Sequence, residues 1–290
     1  MPAPQETEMS DPDCVVLKHD IDTTKDVCLF VTHSSDCTIK PHVSYHVRAL
    51  MNAGFQVVLI CNTDRIALAK RMMAFKAPNG IVVRSNEGFD FGAWADVLRR
   101  YPSLWECSRL LFANDSVIGP VNNGLQLFQQ LRTVAADMVG LVESHEFVRH
   151  FQSFFFMLNR GALQSGDTKQ FWHSVLNLKR KTDVIRAYEL EFTQFCSHHG
   201  LSTRAIFQQS LALSNINKHN PTIVYWRDLT RGGFPYVKVE LVRDRLSQGE
   251  IRELKSMIAD PGLFPFIDGF AAMGERARQL TARTALKTRS

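Results

Sequence analysis

Short apolar runs separated by helix-length segments constrain the fold of this chain most strongly. The runs cover residues 27–31, 56–61, 80–84 and 110–113 and consist mainly of Val, Ile, Leu and Phe. Uninterrupted apolar runs of this length are typical of strands buried on both faces of a parallel sheet. Parallel neighbours need a crossover connection, usually a helix. The first half is therefore predicted to form a mostly parallel α/β sheet flanked by helices.

Helical patterns occupy the connections. Residues 41–52 carry apolar side chains at helical spacing, with Pro41 suited to the first turn and Gly54 to the end. Residues 65–76 predict a second helix. Residues 183–196 carry the clearest apolar stripe of the chain, which predicts a long helix in the second half.

The second half also contains strand and cap signals. Residues 137–142, 150–158 and 222–226 are apolar enough to predict strands. Ser247 and Glu250 have the spacing of a capping box and predict a helix that continues to residue 258.

The length and composition of the chain limit how it can be divided into domains. The 290 residues, 45% of them hydrophobic, can bury one large α/β core. We divide them into an N-terminal arm (1–25), a main domain (26–245) and a helical extension with a basic tail (246–290). No apolar run approaches the roughly 18 residues of a membrane span, and residues 1–13 lack a signal-peptide core, so a cytoplasmic location is expected.

Polar residues follow three of the predicted strands, where open α/β sheets bind ligands. Neither common glycine-rich nucleotide motif follows any of them. An acidic side chain at such a position suits a metal-bound diphosphate or a sugar hydroxyl, although Asp115 would serve equally well as a turn former. The residues are Thr32 and His33, Asn62, and Asn114-Asp115-Ser116.

The loop after the third predicted strand is the other candidate site. It begins at Arg84 and contains Asn86, Gly88 and Asp90, which combine polar groups with a backbone able to turn tightly. The neighbouring aromatic residues, Phe89, Phe91 and Trp94, would either wall a pocket or fill the core, and the core is favoured.

These motifs resemble the rhamnan synthesis protein F family of bacterial polysaccharide glycosyltransferases. The resemblance covers about residues 26 to 243, and the order of its pieces makes it specific. It rests on Arg84-x-Asn86-x-Gly88-Phe89-Asp90-Phe91-Gly92-Ala93-Trp94, Asn114-Asp115-Ser116-x-x-Gly119-Pro120, His150-x-Gln152-Ser153-Phe154-Phe155, Phe171-Trp172, Val184-Ile185-x-x-Tyr188-Glu189, Asn220-Pro221-Thr222 and Phe234-Pro235-Tyr236-Val237-Lys238.

The resemblance implies a GT-A-like, Rossmann-type fold that binds a nucleotide-sugar donor in one half and a glycan acceptor in the other. The implied donor-binding residues are those after the strands, those of the Arg84–Asp90 loop, and Lys238. GT-A enzymes commonly hold a divalent metal with an Asp-x-Asp motif, whereas this chain has Asn114-Asp115-Ser116. Two ways of binding the donor diphosphate remain open. Asp115 would hold Mg²⁺ or Mn²⁺ together with phosphate and water, or Lys or Arg would bind the diphosphate without a metal.

The resemblance also implies catalytic and acceptor residues. Glu189 would be the general base of an inverting transfer; a surface Glu near a helix start is the alternative. Asp115, the other catalytic residue, would contact the donor diphosphate directly or through a divalent ion. His150, Gln152 and Ser153 would contact the acceptor. Lys238 belongs to a late group of cationic side chains suited either to a diphosphate or to a solvated face; the others are His219, Arg227 and Arg231.

Charge adds a final expectation about partners. The formal net charge is +5, and residues 275–290 hold five of the basic side chains against one Glu. This tail is either a solvated end or a peripheral contact with the anionic inner membrane, and no nucleic-acid motif accompanies it. The resemblance implies sugar transfer, rhamnose or a related sugar, to a surface polysaccharide or lipid-linked acceptor. A non-catalytic sugar-nucleotide-binding protein and a sugar-phosphate transferase are the alternatives.

Overall fold

A mostly parallel sheet forms the centre of the molecule in a computed structural model that describes residues 13–122, 124–207 and 219–287. Within these ranges, nine strands join the main sheet, and two short ones, β6 and β11, pair separately. The strands are β1 Cys14–His19, β2 Val27–His33, β3 Gln56–Thr63, β4 Gly80–Ser85, β5 Leu110–Asn114, β6 Val117–Ile118, β7 Met138–Ser144, β8 His150–Phe151, β9 Phe155–Leu158, β10 Thr203–Phe207 and β11 Val237–Lys238.

The strand order is β1-β4-β3-β2-β5-β9-β7-β10, with β8 paired to β7. The four strands from β4 to β5 run parallel, as do β7 and β10. Only β9 between β5 and β7, β1 at the edge and the short β8 run antiparallel in the described sheet. The predicted α/β class, with a mostly parallel sheet, is confirmed. Strand β1 also places part of the predicted 1–25 arm within the sheet, while residues 1–12 lie outside the described ranges.

Helices cover both faces of the sheet and continue to the C-terminal end of the described chain, which confirms the predicted helical extension. A π-helical turn, Ile185–Glu189, joins α6 to α7, and a second one covers Leu241–Arg245. The helices are α1 Pro41–Asn52, α2 Phe89–Arg100, α3 Gly124–Thr133, α4 Arg160–Gln164, α5 Gly166–Ser174, α6 Lys181–Val184, α7 Leu190–His198, α8 Pro221–Val224, α9 Trp226–Arg231, α10 Gln248–Met257 and α11 Phe264–Lys287.

The predicted helix starts at Pro41 and Ser247 are confirmed. Pro41 opens α1, where a missing backbone N–H costs nothing. Ser247 caps α10 by accepting from the backbone N–H of Glu250 at 3.3 Å, and the Glu250 carboxylate accepts in return from the Ser247 N–H at 2.9 Å. This reciprocal pair satisfies two N–H groups that a helix start leaves free.

Three local predictions need correction. Two short helices, Pro221–Val224 and Trp226–Arg231, replace the strand expected at 222–226, because Asn220 accepts from the Thr222 N–H at 3.1 Å and Pro221 follows it, a helix-start arrangement that overrides the β-branched composition. Residues 150–158 form two strands, because the Ser153 N–H leaves the ladder to bond Glu189. The helix expected at 65–76 is a 3₁₀ segment, Ile66–Ala74.

An aromatic cluster fills the core between α2, the sheet and α5. Phe91 and Trp94 are buried there, as the core interpretation predicted, and Trp94 donates its indole N–H to the Leu29 carbonyl at 3.1 Å. Phe112 stacks on Trp172 with 4.8 Å between ring centroids. Each such ring pair adds about 0.5–1.5 kcal/mol beyond its buried area. The cluster fixes the start of α2 against the carboxyl ends of the strands.

The C-terminal helix α11 packs on the π turn at 241–245. A Cβ atom added to Gly274 would lie 1.6 Å from the carbonyl oxygen of Arg243, so only a glycine permits this approach. Beyond Gly274, the residues from 275 to 281 are all exposed. The helix is therefore packed up to Gly274 and exposed from 275 to 281, where Arg278 donates to the Arg243 carbonyl.

Candidate functional site

A cavity of about 850 Å³ opens at the carboxyl end of β5. The starts of α1 and α2, the turn after β5, the loop between β7 and β8, the π turn at 185–189, strand β11 and the first half of α11 all contribute to its wall. Open α/β sheets bind ligands in this position. The volume lies within the range of small-molecule and cofactor sites.

Asp115 lines the cavity from the turn after β5. Its Oδ2 atom accepts from the Thr32 hydroxyl at 2.7 Å and from the Lys40 ammonium at 2.8 Å, and the His33 backbone N–H lies 3.4 Å away. The Asp115 carbonyl lies 3.2 Å from Nε2 of His42. Both the side chain and the backbone of Asp115 are therefore held in place by residues of β2 and α1.

Asn114 links the turn after β5 to the start of α2. Its amide donates to Asp90 at 2.7 Å, and its Oδ1 accepts from the Ser116 hydroxyl at 2.6 Å. Burial, together with the neighbouring negative charge of Asp115, raises the pKa of Asp90 to about 6. Asp90 is therefore a carboxyl group that exchanges its proton near neutral pH.

Glu189 faces the cavity from the last residue of the π turn. Its Oε1 atom accepts from the Ser153 backbone N–H at 3.1 Å, while Glu191, two residues later, is exposed. Sequence periodicity does not distinguish these two carboxylates. A π turn inserts one extra residue into a helix and is frequent at functional sites.

Two more lysines, Lys181 and Lys238, contribute positive charge to the cavity wall. The Lys238 ammonium lies 4.3 Å from the ring centroid of Phe154, and Lys181 lines the cavity from the start of α6. Burial lowers the pKa of Lys238 to about 8, and the nearby Glu189 carboxylate partly opposes that shift. Lys238 is therefore mostly charged at pH 7 but loses its charge under mildly alkaline conditions.

The three residues assigned to the acceptor all line the cavity. Gln152 is buried, donates to Asn220 Oδ1 at 2.6 Å and accepts from the Thr222 hydroxyl at 3.0 Å. His150 bonds through Nδ1 to the Val148 carbonyl at 2.9 Å, and Ser153 bonds to Glu189. Intramolecular bonds thus already hold this wall in a fixed arrangement.

Six of the residues assigned to the sugar donor lie outside the cavity wall. Arg84 is buried and binds Asn62 Oδ1 at 3.1 Å together with Asp96, which ties the end of β4 to α2. Gly88 packs on Asn177, so tightly that an added Cβ would lie 2.2 Å from its Oδ1. Their positions point to support rather than contact. The six are Thr32, His33, Asn62, Arg84, Asn86 and Gly88.

The structure brings the other assigned residues together and adds several that the sequence analysis missed. Lys40 and His42 precede and open α1, so their position directly after the first strand-end loop was the available signal. Phe266 and Phe270 reach the cavity from α11, about 150 residues beyond Asp115 in the chain. No local pattern indicates that this helix folds back over the sheet.

Of the cationic group His219, Arg227, Arg231 and Lys238, only Lys238 lines the cavity. Arg227 instead binds Glu250 and Glu253.

Much of this chain matches a known protein family. The model of the family described as rhamnan synthesis protein F matches residues 57–265, which is more than half of the chain. This chain belongs to the rhamnan synthesis protein F family. The resemblance seen in its motifs is thereby confirmed, and membership assigns a glycosyltransferase-like, transferase-class role in polysaccharide biosynthesis.

Two curated proteins are similar to this family member. Virulence protein VirA of Vibrio anguillarum is 28% identical, with 76% of this chain and 80% of that protein covered. Uncharacterized protein y4gN of Sinorhizobium fredii is 24% identical, with 61% of this chain and 49% of that protein covered. Among solved structures, a putative glucose-1-phosphate thymidylyltransferase from Bacillus anthracis superposes with a TM-score of 0.42 at 5% identity, covering 64% of this chain and 87% of that one. That score is too low to argue from.

None of the described helices is both long and apolar enough to pass through a bilayer. Within residues 13–122, 124–207 and 219–287, no three side chains among His, Cys, Asp and Glu converge as a metal site would require.

Proposed function

We propose that this family member is a GT-A-like glycosyltransferase that moves rhamnose or a related sugar from a nucleotide-sugar donor to a growing bacterial surface polysaccharide. The observation that carries the proposal is that Asp115 and Glu189, on different elements, face one cavity at the carboxyl end of the parallel sheet. Lys40, Lys181 and Lys238 surround the same space and suit an anionic ligand.

The sugar donor would lie over the turn after β5. Asn114 and Ser116 offer hydrogen-bonding groups there, and Asp115 Oδ1 takes no part in the bonds that hold Oδ2. A sugar hydroxyl would donate to that oxygen. Asp90, bonded to Asn114, would contact the same ligand or hold Asn114 in orientation.

Glu189 would act as the general base. With Oε1 held by the Ser153 N–H, Oε2 would take the proton of an acceptor hydroxyl as that oxygen bonds to the anomeric carbon. The bond from the anomeric carbon to the diphosphate oxygen breaks at the same time, and the nucleoside diphosphate leaves with the electron pair. A single displacement of this kind inverts the anomeric configuration.

The acceptor would approach from the side of α11. Phe266 and Phe270 are half-buried in the cavity wall, while Phe147 and Met273 are 79% and 56% exposed at its edge. This apolar margin supports a lipid-linked acceptor. The basic tail from residue 275 would lie against the anionic inner membrane that carries such an acceptor, on the cytoplasmic side.

Glu189→Gln tests the proposal, because it preserves shape and removes basicity. Transfer is expected to fall about 10²- to 10⁴-fold with little change in affinity for the sugar donor. The assay screens nucleotide sugars for binding and consumption, and NMR of the product gives its anomeric configuration. Glu191→Gln, on the exposed side of the same helix, is the matched control.

Three outcomes would contradict parts of this proposal. Normal turnover by Glu189→Gln would remove Glu189 as the base. Binding of a nucleotide sugar without any turnover would make the protein a sugar-nucleotide-binding member of the family. A product that retains phosphate would identify a sugar-phosphate transferase.

A further inference from the structure

Lys40 is the cationic side chain that pairs with Asp115 in the cavity wall. It is the residue before Pro41, at the N-terminal boundary of α1, and its backbone is extended. Its ammonium lies 2.8 Å from Asp115 Oδ2, and the two side chains are 42% and 20% exposed. The pair is therefore partly shielded from water yet open to a ligand.

Asp115 is poorly suited to a divalent metal in this arrangement. Its Oδ2 atom already accepts from Lys40 and Thr32, with the His33 N–H close by. A metal ion on Oδ1 would lie beside the Lys40 ammonium and would be repelled by it. Among the residues that the structure describes, no further carboxylate or imidazole joins Asp115 in a group of three.

We propose that Lys40 replaces the divalent metal of this site, so that the diphosphate of the sugar donor binds to an ammonium ion fixed by Asp115. This inference rests on the proposed glycosyltransferase function. An ammonium has three N–H donors, and Asp115 uses one of them. The remaining donors are available to phosphate oxygens, and charge-assisted bonds of this kind are among the strongest that side chains form.

Two neighbouring features support the assignment. The start of the 12-residue helix α1 lines the same part of the cavity and adds the positive end of its dipole. His42, in its first turn, is buried, and burial lowers the pKa of its imidazole. The neutral ring donates from Nε2 to the Asp115 carbonyl at 3.2 Å and so keeps Asp115 in register with Lys40.

The test uses inorganic pyrophosphate and calorimetry. The wild-type protein is expected to bind pyrophosphate in EDTA, and Lys40→Met to bind it roughly tenfold to a hundredfold more weakly, the range expected for a lost charge-assisted bond. Lys25→Met is the matched control, because Lys25 also pairs with an aspartate, Asp22 at 3.2 Å, but lies far from the cavity wall. Circular dichroism checks the fold of each variant.

A second measurement tests the binding of a divalent metal directly. Titration of the wild-type protein with Mn²⁺ alone, followed by electron paramagnetic resonance, is expected to show no site near stoichiometry. Stoichiometric Mn²⁺ binding that Asp115→Asn abolishes would overturn the proposal. So would pyrophosphate binding that requires a divalent metal, or unchanged binding by Lys40→Met.

Turnover separates this inference from the proposed function. Sugar transfer that stops in EDTA and returns with Mn²⁺ would overturn the role of Lys40 and leave the glycosyltransferase assignment intact. Metal-free pyrophosphate binding without consumption of any nucleotide sugar would support the anion site and overturn the assignment.

Discussion

Asp90 illustrates how the cavity changes the chemistry of a single residue. Its folded-state pKa of about 6 lies above the ordinary value of 3.8, because burial and the charge of Asp115 oppose ionisation. The folded protein therefore binds this proton more tightly than the unfolded chain does. Ionised Asp90 destabilises the fold above about pH 6, and this penalty disappears as the pH falls towards 4.

Asp90→Asn should consequently stabilise the protein at neutral pH. A shift of about two pKa units corresponds to at most roughly 3 kcal/mol in the free energy of unfolding at pH 7.5, declining towards pH 4.5. The Asn side chain retains an oxygen that accepts from Asn114. Urea denaturation at both pH values measures the difference, with exposed Asp64→Asn as the control. Equal effects of Asp90→Asn at the two pH values would contradict the assigned pKa.

Some strands and helices of this fold can be predicted from the local sequence, and others cannot. Strands such as β3 were predicted well because they are buried on both faces and so must be apolar throughout. The strand expected at 222–226 failed because Asn220 and Pro221 impose a helix start on a β-branched sequence. The turn after β5 was found through its place at a strand end, whereas the contribution of α11 depends on tertiary packing alone.

Gly88, directly before α2, is another residue whose surroundings are set by tertiary packing and not by local sequence. It has φ of +68° and its hydrogen faces Asn177 and Gly92, with an added Cβ only 2.9 Å from the Cα atom of each. Gly88→Val should lower the free energy of unfolding by at least about 2 kcal/mol, since a β-branched residue is strained in this conformation and also collides with backbone. Urea denaturation checks the value. Gly166→Ala is the control, because Gly166 has open space around it. A stable Gly88→Val variant with impaired ligand binding would instead favour direct contact of Gly88 with the sugar donor.

At the scale of the whole molecule, α11 joins the cavity to the outer surface. Its first half supplies Phe266, Phe270 and Met273 to the wall, and Gly274 fixes it against Arg243. Residues 275–281 of the helix are exposed and include Arg276, Arg278 and Leu280, although Arg278 still donates to the Arg243 carbonyl at 3.1 Å. A single helix thus connects the proposed acceptor entrance with the proposed membrane contact.

Vesicle binding tests that connection. The full chain should sediment with anionic vesicles and much less with neutral ones, and binding should weaken as salt is added. Arg276→Glu should reduce binding by roughly 1–2 kcal/mol, because each basic residue near an anionic surface contributes about 1 kcal/mol. Lys70→Glu, an exposed charge reversal on the 3₁₀ segment, controls for net charge. Equal binding to both kinds of vesicle, or equal loss in the two variants, would exclude this role for α11.

The π turn between α6 and α7 makes the site depend on the number of residues between Val184 and Glu189. An α-helix advances about 100° per residue, so the single extra residue of the turn sets the rotational phase of everything after it. Glu189 reaches the Ser153 N–H in that phase, while Phe192 and Cys196, in the following turns, are buried against the core. Removing one residue between Val184 and Glu189 would leave the composition almost unchanged but rotate the carboxylate away from the cavity or the apolar face away from the core. The site therefore requires a fixed number of residues in this turn as well as the Glu189 carboxylate at its end.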